Sequence, residues 1–310
     1  MRLPLKAAAL LLGGYGALLG VIKWQEPSLV YHPTTSRALV APPASLGLNP
    51  ERVEIRTPDS VRIVAWAIPA AGPDSSDAWM LVSHGNYKDI SYGGRPEFYA
   101  RVRELGINVL AFDYRGFGES DGTPSERGLY ADAEAAYRWL RETRGVPAER
   151  IVLFGHSLGS GVAIELATRV PSAGLIVEGA FTSVPDRGRE IYPFVPTHLL
   201  ASNRFESIEK VGGIEVPKLF LHSPTDEVIP FAHGQRLFDR ARGPKRFVSV
   251  RGGHDEAFRV DGDTYFGAVR EFLSDALGRA SASRGGTTSE SPIAAASASA
   301  APSAKAVAAP

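Results

Sequence analysis

Between about residues 51 and 279, short apolar runs alternate with stretches of helical periodicity, and no other feature limits the possible folds as tightly. The runs Val61–Ile68, Trp79–Ser83, Val109–Phe112, Ile151–Phe154, Leu175–Val177, Lys218–Leu221 and Phe247–Val250 have the length and content of strands. Helical patterns cover Glu97–Leu105, Leu129–Arg144, Leu158–Arg169, Phe231–Arg240 and Tyr265–Leu277. Such a chain is expected to be an α/β protein, with a mostly parallel central sheet and helices on both faces. The stripe Leu129, Ala133, Ala136, Trp139 and Leu140 reads as core. Reactive groups in sheets of this kind gather in loops beyond the carboxyl ends of the strands.

The flanks differ in character from this body. Arg2 and Lys6 precede an uncharged run from Ala7 to Ile22, closed by Lys23 and Trp24. As a helix that run reaches roughly 24 Å, against about 30 Å of hydrocarbon, and Leu3, Leu5 and Trp24 extend it. Residues 1–24 are therefore expected to form an N-terminal membrane anchor, with a cleaved signal segment as the alternative. The basic end favours the cytoplasm, which would put the following domain on the extracytoplasmic side, or in the periplasm or medium after cleavage. Residues 25–50 read as a Pro-rich spacer. Residues 280–310 are rich in Ala and Ser and are expected to be disordered.

Composition removes several functions. The chain carries 34 basic and 34 acidic residues, which argues against holding nucleic acid by its phosphates. It has no cysteine, so disulfide frameworks, thiolate metal sites and cysteine nucleophiles are excluded.

After the strand Ile151–Phe154 comes Gly155-His156-Ser157-Leu158-Gly159, followed at once by a helical pattern. Glycines two before and two after the serine suit a turn too sharp for side chains at those places. Ser157 is thereby lifted to a helix N-terminus, with the Leu158 N–H aimed where an oxyanion would form. This pentapeptide in this setting resembles the nucleophile elbow of the α/β-hydrolase superfamily. Two other segments agree with it. Met80-Leu-Val-Ser-His84-Gly85-Asn86 resembles the family's strand and His-Gly loop, and Phe112-Asp113-Tyr114-Arg115-Gly116-Phe117-Gly118-Glu119-Ser120 its following strand and loop. The resemblance spans roughly residues 50 to 278. It implies that the Asn86 N–H is the second oxyanion donor, and that Asp113, Arg115 and His84 brace loops.

The family's order of serine, acid, histidine implies that the base lies late in the chain. Of seven histidines, His233 and His254 follow a suitable acid. His254 stands in a loop directly after the last strand, whereas His233 lies within a helical pattern. Asp226, in the loop after Lys218–Leu221, resembles the family's acid; Glu227 and Glu178 are the alternatives. The expected catalytic set is Ser157, Asp226 and His254, with Asn86 and Leu158 as the oxyanion hole. Neither cofactor nor metal is called for: Asp261-Gly262-Asp263 lacks the remaining calcium-ligand spacing and reads as a helix cap.

From Phe181 to Pro217 only 37 residues stand between the strand Leu175–Val177 and the acid strand, too few for a large helical cap. An open pocket with an apolar patch from Tyr192, Phe194, Leu199 and Leu200 is expected. Together with the N-terminal run this resembles the small membrane-anchored branch of the superfamily, which includes depalmitoylases and lysophospholipases and carries a serine-aminopeptidase-like domain. The resemblance implies a serine hydrolase acting on carboxylic esters or thioesters of small molecules or lipids. A catalytically silent binding protein and a serine peptidase are the alternatives.

Overall fold

Eight strands form one sheet in the order β1-β2-β4-β3-β5-β6-β7-β8. They are β1 (Glu51–Arg56), β2 (Arg62–Ile68), β3 (Trp79–Ser83), β4 (Asn108–Phe112), β5 (Ile151–His156), β6 (Gly174–Glu178), β7 (Lys218–His222) and β8 (Lys245–Ser249). β2 pairs antiparallel with both β1 and β4, and the remaining pairs are parallel. The computed structural model describes residues 5–34, 38–72 and 75–285. All seven expected strands are present. β1 was not foreseen, because only Val53 and Ile55 point inward from a run otherwise made of Glu and Arg.

The helices are α1 (Leu5–Val30), α2 (Arg95–Arg103), α3 (Glu126–Arg138), α4 (Leu158–Ala167), α5 (Val184–Ile191), α6 (Thr197–Leu200), α7 (Ser207–Lys210), α8 (Phe231–Arg240), α9 (Ala257–Val260) and α10 (Gly262–Gly285). The alternation of side chains along each strand divides the core in two. Leu81, Leu110 and Leu153 meet α3, α4 and α8 on one face, through Leu129, Val162 and Leu237. Met80, Val109 and Val152 meet α2 and α10 on the other, through Phe98, Val102, Tyr265 and Val269. The expected stripe on α3 is in the first of these cores, and its helical period runs on into a π turn over Trp139–Thr143. α3 begins where the Ser125 hydroxyl accepts the Gly128 N–H at 3.1 Å.

The two ends depart from expectation. α1 does not stop at residue 24; it continues through Pro27 to Val30, and Glu26, Val30 and Tyr31 are buried against the domain. Part of the stretch read as spacer is thus helix packed on the domain through these three residues. Among the described residues no helix is long and apolar enough to cross a membrane. The last turns of α1 carry Lys23 and Glu26, both bonded to the domain. At the other end α10 extends through residues 280–285, beyond the expected boundary, and residues 286–310 lie outside the described residues.

One buried ion pair fastens the loop after β4. Asp132 of α3 accepts the Arg115 backbone N–H at 2.8 Å and its guanidinium at 2.9 and 3.0 Å, and the far end of the guanidinium reaches Asp59. Burial pushes the Asp132 carboxyl up to about 6 despite these bonds. Removing one partner of such a pair leaves a buried charge uncompensated, at a cost of about 3–5 kcal/mol. Asp132→Ala is expected to lower the midpoint of thermal unfolding by about 10 °C in a domain of this size, measured by circular dichroism.

Candidate active site

The strand-to-helix turn at Ser157 is built from steric exclusion. Ser157 has φ 54° and ψ −122°, a conformation costly for any residue with a side chain. A Cβ on Gly159 would collide with the Ser83 carbonyl, and one on Gly155 with the Gly159 carbonyl. These two contacts are why β3, β5 and α4 approach so closely. The Ser157 N–H donates to the Glu178 carbonyl at 3.0 Å, and the Ser160 hydroxyl to the Ser157 carbonyl at 2.6 Å, which hold the turn from both sides.

Asp226 and His254 meet beside it. His254 Nδ1 lies 2.7 Å from Asp226 Oδ2, while Asp226 Oδ1 accepts the N–H groups of Val228 and Ile229 at 2.9 and 2.7 Å. A carboxylate only accepts, so Nδ1 carries the proton and Nε2 presents a lone pair. Nε2 is buried and has no hydrogen-bond partner among the described residues. Two contacts put His254 against the neighbours of Ser157. The His156 ring lies 4.9 Å from the His254 ring, and a Cβ on Gly179 would come within 2.9 Å of His254 Cε1. Burial alone would push the His254 imidazole down. The hydrogen bond and charge of Asp226 outweigh it and hold the imidazole above the ordinary histidine value. Burial likewise raises Asp226, and His254 with the two N–H groups brings it below the usual carboxylate range.

The rival residues are engaged elsewhere. His233 is buried under the segment that follows β6, with Thr182 donating to its Nδ1 at 3.1 Å and Nε2 3.0 Å from Glu190. Glu227 accepts the His254 backbone N–H at 3.2 Å and does not meet its ring. Glu178 accepts the Tyr265 hydroxyl at 2.7 Å and is pushed up to about 7 by burial. His84 donates from Nδ1 to the Gly85 carbonyl at 2.7 Å and faces Asp113 at 3.3 Å, bracing the loop that carries Asn86. Asp261 accepts from the Arg251 N–H and the Thr264 hydroxyl, both at 3.0 Å, at the start of α10. Ligand atoms of His156, His254 and Asp255 lie within 4.8 Å of one another, a spacing that could hold a metal. His254 Nδ1 is already bonded to Asp226, and burial with the charge of His254 pushes His156 down to about 4.

Ser157, Leu158 and Asn86 open onto one cavity of about 470 Å³. Its walls come from α5, the segment to α6, and the last turns of α1 through Ile22, Glu26, Leu29 and Val30. That α1 lines the site was not legible beforehand. The only sequence signal was Lys23 and Glu26 interrupting an apolar helix, which also fits the end of an anchor. The expected apolar patch is only partly lining. Tyr192 and Leu200 face the cavity, while Phe194 and Leu199 are exposed on the rim outside it.

The chain is similar to several known proteins. Residues 74–206 match the family model described as serine aminopeptidase, S33. The chain is 38% identical over 253 residues to an uncharacterized protein of Mycobacterium tuberculosis, covering 81% of this chain and 88% of that one. It is 34% identical over 204 residues to alpha/beta hydrolase domain-containing protein 17B of Homo sapiens, covering 64% and 67%. In fold it is similar to the Pyrococcus furiosus esterase Pf2001, with TM-score 0.67 and 21% identity over 79% of this chain and 99% of that one.

The balance of forces on His254 can be read directly. Its imidazole is expected to titrate by NMR above the ordinary value of about 6.5. In Asp226→Asn the largest stabilising contribution is gone while burial remains, so the midpoint should fall from the wild-type value, with Asp255 and Glu178 still raising it. An unchanged midpoint would show that Asp226 does not govern the ring.

Proposed function

The chain belongs to the α/β-hydrolase superfamily, and from that premise we propose that it is a serine hydrolase cleaving carboxylic esters or thioesters through an acyl-enzyme. The observation that carries this reading is the Asp226–His254 hydrogen bond, which leaves Nε2 of His254 unbonded while its ring lies against His156, the residue next to the elbow serine. In the proposed reaction the Ser157 hydroxyl attacks the substrate carbonyl while His254 Nε2 takes its proton. Asp226 holds the ring in the required tautomer and stabilises the imidazolium. The N–H groups of Leu158 and Asn86 receive the tetrahedral oxyanion, each contributing about 3–4 kcal/mol in the transition state. Collapse expels the alcohol or thiol, protonated by His254, and leaves the acyl group on Ser157. Water, deprotonated by the same Nε2, then releases the acid.

The lining favours an acyl ester over a peptide. Its walls are mainly apolar, with Ile22, Leu29, Val30, Ile191 and Leu200, and Glu26 already accepts the Ser202 and Asn203 N–H groups and pairs with Lys23. Contact with a lipid surface belongs to the same proposal. Leu10, Leu12 and Trp24 of α1 are each more than 70% exposed, and the rim residues Phe194 and Leu199 more than 80%. A helix left apolar without protein cover suits the membrane interface. The full-length protein should sediment with anionic lipid vesicles, and deletion of residues 1–20 should release it to the supernatant.

Ser157→Ala is expected to keep the fold and lose ester hydrolysis by about 10⁴-fold or more, together with labelling by a fluorophosphonate probe. Retained turnover or labelling would reject Ser157 as the nucleophile. His254 must be neutral to accept a proton, and its pKa is raised. The acid limb of kcat/KM should therefore fall as pH drops through a midpoint above about 6.5.

A further inference from the structure

We infer that the last turns of α1 form the acyl-binding wall of this hydrolase, so that the segment before the domain sets acyl chain length. The inference rests on the proposed acyl-enzyme reading and names the substrate class for it: esters or thioesters of medium- to long-chain acids.

Two sets of bonds fix α1 over the site. Glu26 Oε1 accepts the backbone N–H groups of Ser202 and Asn203, both at 2.7 Å, and the Asn203 side-chain amide at 3.2 Å. Lys23 pairs with Glu26 at 3.0 Å and reaches the Leu200 carbonyl and the Ser202 hydroxyl. Burial raises the Glu26 carboxyl, yet these donors bring it below its usual range, so it is held as an anion. Just beyond, the Tyr31 hydroxyl donates to Asn203 at 2.8 Å. The second set joins α1 to the loop that carries an oxyanion donor. The Asn86 side chain donates to the Val30 carbonyl at 2.9 Å, and the Asn86 carbonyl accepts the His32 N–H at 2.9 Å.

This fastening turns one apolar side of α1 toward Ser157. Ile22, Leu29 and Val30 face Ile191, Tyr192 and Leu200 across the cavity that begins at Ser157 and Asn86. A pocket of about 470 Å³ far exceeds what an acetyl group fills, and apolar walls reward each methylene removed from water by about 0.8 kcal/mol. With charged lining groups bonded to protein, an alkyl chain attached to the Ser157 oxygen is the ligand that these walls complement.

Nitrophenyl esters from acetate to laurate, with the alcohol held constant, test this on the full-length chain. Wild type should prefer laurate to acetate in kcat/KM. Ile22→Trp and Leu29→Trp fill the cavity and should each lower the laurate-to-acetate ratio by about 20-fold, within the range expected for steric discrimination in apolar pockets. Leu29→Ala, which adds no bulk and guards against misfolding of the larger variants, should shift the optimum toward longer chains. Glu26→Gln should raise KM for laurate more than for acetate, because the wall loses its Lys23 ion pair and the charge that strengthens its bonds to Ser202 and Asn203. Unchanged ratios in folded Ile22 and Leu29 variants would overturn the inference while leaving the hydrolase reading intact. A wild-type protein that turns over no ester and takes no fluorophosphonate would instead overturn the reading itself, and the inference with it.

Discussion

Everything chemical in this molecule depends on the clearance between β3, β5 and α4. Ser157 occupies a backbone conformation that its side chain resists, and the turn persists because Gly155 and Gly159 let three backbone segments approach more closely than any Cβ permits. The strain is offset by the two large apolar layers that hold β5 and α4 in place, and by bonds from Ser157 to Glu178 and from Ser160 to Ser157. The same closeness brings the loop after β3, with His84 to Asn86, alongside the serine.

Around that turn, buried polar groups are organised in pairs rather than singly. Asp132 with Arg115, Glu178 with Tyr265, and Asp226 with His254 each satisfy a group that burial would otherwise penalise. Only the last pair leaves a basic lone pair unused. His254 Nε2 is one of few buried polar atoms without a partner among the described residues, and the proposed proton transfer from Ser157 would use it.

The N-terminal helix changes the meaning of the cavity. Without it, the short segment between β6 and β7 would leave the site as an open groove. With it, the bonds of Glu26 to Ser202 and Asn203 join a helix at the start of the chain to a loop about 180 residues later. Most of α1 nevertheless stays outside the globular body, its leucines exposed. One helix thus presents an apolar surface outward and an apolar wall inward.

Seven of the eight strands, their sheet class and the elbow turn were legible in the sequence because each rests on local pattern, whereas Asp226 and His254 came from the resemblance to the family's order of serine, acid and histidine. Apolar period, glycine spacing and loop position after a strand are properties of a few adjacent residues. β1 escaped because its two inward residues are too few to make a period. The choice of Asp226 over Glu227, adjacent in the chain, was decided by which carboxylate the Val228 and Ile229 N–H groups orient toward His254. The role of Glu26 was equally invisible. Its partners lie at Ser202 and Asn203, and a hydrogen bond across such a separation leaves no trace in local composition. Glu26, Leu29 and Val30 therefore read as spacer by sequence and became part of the pocket by packing, since burial depends on what the rest of the chain brings near.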